Sequence, residues 1–162
     1  HKLQEQYLFL ARHNIHSAEE LVGTIASLTD KKKETSAEKS RIYKARERSM
    51  ELFTAADEME NLKPAEQSYR LGDIFFEDEH RKWVALEQEL QAQGYSLEEV
   101  QALRRHYKEE YSEVCAREKV VCRELNTGKA ILNSMIPDSI SDGRKTEYNR
   151  EIIRDRKEQP VR

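Results

Sequence analysis

Apolar side chains recur at intervals of three and four along most of this chain, the spacing of helices that bury one face. In residues 2–13, Leu3, Tyr7 and Leu10 share a face that Leu8 widens, and Asn14 follows as a C-terminal stop. This predicts a short first helix. Ser17 and Glu20 then have the spacing of a capping box, in which the hydroxyl accepts from the backbone N–H three residues on and the carboxylate reaches back. No proline follows until Pro64, so the second helix is expected to run from Ser17 to about Leu62. Its apolar stripe is interrupted: Leu21, Val22, Ile25 and Leu28 open it, residues 29–40 add almost nothing, and Ile42, Leu52, Phe53, Ala56 and Met59 resume it. Lys, Glu and Ala are good helix formers and neither Gly nor Pro falls in the gap, which favours one continuous helix with a solvated middle over two shorter ones.

Beyond Pro64, a short segment with Tyr69 and Leu71 stops at Gly72, and Phe75, Phe76, Trp83, Leu86 and Leu90 predict a further helix. Gly94 suits the left-handed position after its end. Ser96 and Glu99 repeat the capping box, with Tyr95 and Val100 placed as a hydrophobic staple. Stepping by four and three from Val100 to Met135 visits eleven positions, eight of them apolar or aromatic, as in a coiled-coil seam. Tyr107, Tyr111, Val114, Val121 and Leu125 are its candidate helix-interface residues. Pro137 ends the run. The expected fold class is therefore all-α, an elongated antiparallel helical hairpin or coiled coil in which the helix from Ser17 packs on the helix from Ser96, with shorter helices covering one end. One helical domain spans residues 1–136. Residues 137–162 are polar, include Gly143 and Pro160, and read as a flexible tail with a helical turn near residues 147–156.

Composition supports that architecture and narrows the chemistry. Of 162 residues, 37% are hydrophobic and 36% charged, against the usual ~45–50% and ~25%, so little apolar material exists for a wide core. Five Gly and three Pro disfavour both a turn-rich β fold and a glycine-dependent nucleotide fold. No run approaches the roughly 18 apolar residues of a membrane span, and no signal peptide opens the chain, which points to a cytoplasmic protein without membrane insertion. A start at His1 instead of Met suggests a piece of something longer. Cys115 and Cys122 lie seven residues apart on one helix, roughly 10 Å along its axis, too far for a disulfide.

Candidate catalytic groups do not assemble. His13 and His16 are the only close histidine pair and fall on a turn with no further ligands nearby; His80 and His106 stand singly among charges. No G-x-S-x-G elbow and no phosphate-cradling glycine loop occurs. Glu77, Asp78 and Glu79 read as a solvated helix face, and neither cysteine has the electropositive setting of a reactive thiol. The expectation is no catalytic residue, cofactor, metal or small-molecule substrate.

Charge patterning is more informative. The chain carries net −3, yet residues 31–48 hold eight bases against three acids, and residues 144–162 hold seven against four. Lys31, Lys32, Lys33, Arg41, Lys44 and Arg48 are the candidate nucleic-acid-binding residues, making phosphate contacts without sequence preference. The alternative is an ordinary charged helix surface, with the acidic stretches 51–60 and 73–79 as internal partners.

The order of these segments resembles a known family. The helix with Tyr7-Leu8-Phe9-Leu10, the cap in Asn14-Ile15-His16-Ser17-Ala18-Glu19-Glu20-Leu21, the Lys/Glu-rich helix, the aromatic and acidic stretch from Tyr69 to Leu90, and the last helix through Leu125-Asn126-Thr127-Gly128-Lys129 resemble the C-terminal helical region of relaxases, the mobilisation nucleases of Gram-positive conjugative and mobilisable elements. The likeness covers about residues 1–136. It implies participation in conjugative DNA transfer beside a separate nuclease domain that nicks with a tyrosine and holds a metal on three histidines. Nothing here matches that nuclease, so Tyr7, His13 and His16 inherit none of its roles. The resemblance implies an accessory region acting through relaxosome proteins, DNA contacts or self-association into a homo-oligomer. A coiled-coil module that binds protein or itself, with no DNA role, is the competing expectation.

Overall fold

In the computed structural model, residues 1–136 are described; the tail expected over 137–162 lies outside them. Five α-helices form the described chain: α1 Lys2–Arg12, α2 Ala18–Arg48, α3 Met50–Arg70, α4 Glu77–Ala92 and α5 Leu97–Ser134, with a 3₁₀ turn at Ile74–Phe76 before α4. No strand occurs among the described residues, and the fold is all-α. Two compact units divide the described residues, one made of His1–Glu38 with α5 from Val114, the other of Lys39–Glu113.

In the first unit, α1 and the opening turns of α2 pack against the later part of α5. Phe9, Ile15, Leu21, Ile25, Leu28, Leu125, Ile131 and Leu132 form its core, with Leu10 and Val22 at the margin. The two long helices run antiparallel: Arg117 on α5 donates to Glu38 on α2 at 3.1 Å, and Gly128 on α5 lies against Ile25. A Cβ on Gly128 would stand 3.1 Å from both Ile25 Cγ1 and Phe9 Cζ, so the missing side chain lets α1 and α2 close on α5. The face of α1 differs from the expected one. Leu3, Tyr7 and Leu8 are exposed, while Phe9 is fully buried and Leu10 half-buried. An apolar count along so short a helix does not fix its rotation; the slot over Gly128 does. Asn14 ends α1 in the left-handed region at φ 52, and the Ile15 amide donates back to the Leu10 carbonyl at 2.9 Å. The expected cap on α2 forms, with the Glu20 amide donating to Ser17 Oγ at 3.2 Å, but the Glu20 carboxylate reaches past Ser17 to the His16 amide at 2.7 Å.

α2 is helical without interruption through residues 29–41. Thr35 is its one buried residue there, and its hydroxyl donates to the Lys32 carbonyl at 2.9 Å, which satisfies the polar group within the helix.

In the second unit, Leu52, Phe53, Ala55, Ala56 and Met59 of α3, Trp83 and Leu90 of α4, and Val100 of α5 form the core. Here α3, not α2, is the antiparallel partner of α5: Arg104 bonds Asp57, and Gln101 donates to Glu60. Two boundaries depart from the expected single helix over 17–62. The first is Ser49, at φ −95 and ψ 3, whose hydroxyl donates to the Ala45 carbonyl at 3.0 Å while its amide is shared between Ala45 and Arg46. Such back-bonding from serine deforms a helix. The second is Pro64, which lies inside α3. Its missing N–H forfeits one bond, but Leu62 and Glu66 on either side are held against the rest of the unit, and the helix continues to Arg70.

Candidate functional site

The six candidate cations divide between the units. Lys31, Lys32 and Lys33 are consecutive and exposed in the first; at 3.6 residues per turn they fan over more than half the helix circumference. Lys31 borders a shallow groove of about 520 Å³ whose apolar wall is Ala116, Val120 and Val121, with Thr35 at its base. In the second unit Arg41, Lys44 and Arg48, spaced three and four apart, present one exposed helix face. None of the six makes an ion pair with another described residue. Arg41–Lys44 and Lys44–Arg48 are instead like-charge neighbours, each costing about 0.2–0.5 kcal/mol in an isolated helix. An anion laid along that face relieves both repulsions.

The candidate seam is spent inside the chain. Val114 and Leu125 are buried, Tyr107 meets the Phe53 ring edge at 6.4 Å, and the Lys39 ammonium stands 5.8 Å over the Tyr111 ring. Val121 is half-buried in the groove wall. Sequence periodicity thus located a helix-packing surface, and its partners are α1, α2 and α3.

Two charged clusters escaped sequence reasoning, one closing across the turn between α3 and α4 and the other joining residues 111 apart in the chain. Glu66, only 2% exposed, accepts from Arg70 Nε at 2.9 Å and from His80 Nδ1 at 2.8 Å, and the His80 ring stacks on Tyr69 with centroids 4.1 Å apart. This ties α3 to α4. Glu124 of α5 meets Arg12 at 2.7 Å and His13 at 2.8 Å, tying α5 to the end of α1, and His13 also touches the Phe9 ring at 4.5 Å. The Glu66–Arg70 spacing is the only local hint of either cluster. His13 and His16 do not converge, since His16 Nε2 pairs with Asn14 Oδ1 at 2.8 Å. Among the described residues no group of three or more His, Cys, Asp or Glu side chains could hold a metal ion, and both cysteines are free.

Across α3 and α5, Arg104 donates to both Asp57 oxygens, at 2.5 and 3.2 Å, and its guanidinium lies 5.4 Å over the Phe53 ring. That hydrogen bond holds the Asp57 carboxyl below its ordinary range. A carboxyl depressed in the fold adds stability above its unfolded value, lost as pH falls through the folded one. Because both side chains are about half exposed, the pair is worth only about 0.2–1 kcal/mol.

No helix among the described residues is long and apolar enough to cross a membrane. No protein-family model matches the chain, and no curated protein or solved structure matches it either.

Proposed function

We propose that this chain is a non-catalytic accessory helical module of a relaxase, assisting relaxosome assembly and DNA processing in the cytoplasm during mobilisation of a conjugative plasmid or integrative element. The order of motifs described above motivates the family. The observation that carries the DNA role is the exposure of Lys31, Lys32, Lys33, Arg41, Lys44 and Arg48 without ion-pair partners among the described residues. Exposed cations on a helix neutralise phosphates and release condensed counterions, giving binding that is insensitive to base sequence and steep in salt. The internal use of Tyr107, Val114 and Leu125 favours this reading over a coiled coil that offers its seam to another chain.

Fluorescence anisotropy of a labelled DNA duplex, titrated with the full chain over a salt series, tests the proposal. The expected result is binding at low salt with log K falling linearly in log salt, by about 0.9 per phosphate neutralised, and a clearly shallower slope when all six cations are changed to Gln. No binding at low salt, or an unchanged slope in the variant, overturns it.

A further inference from the structure

Beside α5 the first unit keeps a groove that its described helices do not fill. Only α2 and α5 line it, with Ala116, Val120 and Val121 on the apolar side. Val120 is 55% exposed there. α1 meets α5 at Gly128 and at Glu124 and does not enter the lining. A helix pair with an open apolar groove is the seat of a third amphipathic helix, which buries its stripe against both. The rim is of mixed sign: Lys31 and Glu34 have no ion-pair partner among the described residues, and Arg117 pairs with Glu38. Two carboxylates at the rim disfavour a polyanion in the groove itself and suit an occupant that carries both signs.

The sequence beyond α5 supplies such a segment. Tyr148, Ile152 and Ile153 recur at helical spacing, while Glu147, Glu151, Asp155 and Glu158, spaced four, four and three apart, fall on a different face. Lys145, seven residues before Ile152, and Arg156, four after it, share the apolar face and match Glu34 in charge. Length permits the return. Val121 and Ala116 lie fifteen and twenty residues before Ile136, about 22–30 Å along the helix at 1.5 Å per residue. The twelve residues from Ile136 to Tyr148 span up to about 40 Å when extended. A covalent link of this length also gives the segment a roughly millimolar effective concentration at the groove, above that of a second copy. We propose that residues 145–156 fold back into the α2–α5 groove of the same molecule, seating Tyr148, Ile152 and Ile153 against Ala116, Val120 and Val121. This contact needs no DNA and stands if the DNA reading fails.

Photo-cross-linking of the full chain without DNA tests this, with p-benzoylphenylalanine at position 148 and the products mapped by peptide mass spectrometry. The expected product has the mass of one chain, joins position 148 to residues 31–38 or 114–121, and forms in a yield that does not change on dilution. Val120→Glu, a change at an exposed position that circular dichroism is expected to show leaves the helices intact, is expected to lose most of that product by placing a charge on the apolar wall. Ile152→Ser with Ile153→Ser is expected to do the same from the other side of the contact. No cross-link, a cross-link between two chains, one confined to the exposed Leu3 and Tyr7 of α1, or a groove cross-link that survives both variants unchanged overturns the proposal.

Discussion

Replacing Phe9 with alanine is expected to lower the free energy of unfolding by about 3–5 kcal/mol, the range for truncating a fully buried phenylalanine. Phe9 is the one residue of α1 that is completely buried. Its ring reaches the Gly128 slot, so the cavity left behind is lined by α2 and α5 as well as by α1. Backbone cannot collapse into it cheaply, because Arg12 and His13 hold the end of α1 to Glu124. Urea denaturation followed by circular dichroism measures the loss. Tyr7→Ala is the control. It belongs to the stripe that periodicity selected but is largely exposed, and its expected effect is within about 0.5 kcal/mol. Equal losses for the two variants would contradict the described rotation of α1.

The double variant Arg70→Ala with His80→Ala is expected to cost about 3–5 kcal/mol, because it strands a buried carboxylate. Both Glu66 oxygens are engaged, one by each partner, and its side chain is only 3% exposed, so the double variant removes both donors from a covered carboxylate. Arg70 is itself largely exposed while His80 is mostly covered and stacked on Tyr69, so the histidine is expected to carry the larger share. The same urea titration applies, with a diagnostic third change. Adding Glu66→Leu removes the charge that made the site costly and is expected to restore much of the loss. A triple variant no more stable than the double one would show that Glu66 is not an electrostatic burden and that the cluster acts through packing alone.

These effects mark where the sequence was readable. Helix type was legible from the three-and-four period outside residues 29–40 and from helix propensity within them, and the two capping boxes located the starts of α2 and α5. The seam on α5 was legible too, including its three interruptions, though not their causes. Arg104 is polar because it bridges to Asp57 and covers Phe53, Glu118 because it accepts from Ser36, and Gly128 because Phe9 and Ile25 need its space. Each cause lies on another helix, between 47 and 119 residues away in sequence, beyond any local pattern. Ser49 and Pro64 misled for the opposite reason. Local rules make proline the breaker and serine a neutral residue, whereas the buried Ser49 hydroxyl bonding back to the Ala45 carbonyl and anchoring on both sides of Pro64 reversed the outcome. Of the candidate site, the exposure of the six cations followed from their chemistry, but their division between two units did not.

The central structural claim is that α2 is one ordered helix from Ala18 to Arg48, with its cations on helical backbone. Amide hydrogen exchange of the full chain, resolved by peptide mass spectrometry, tests it most directly. Residues 29–41 are expected to exchange markedly more slowly than the same segment as a free peptide, with protection continuous from the Leu21–Leu28 turns into the turns around Ile42. Exchange through 29–41 at the free-peptide rate, between two protected flanks, would mean that the cations ride on an unstructured link and would contradict the account.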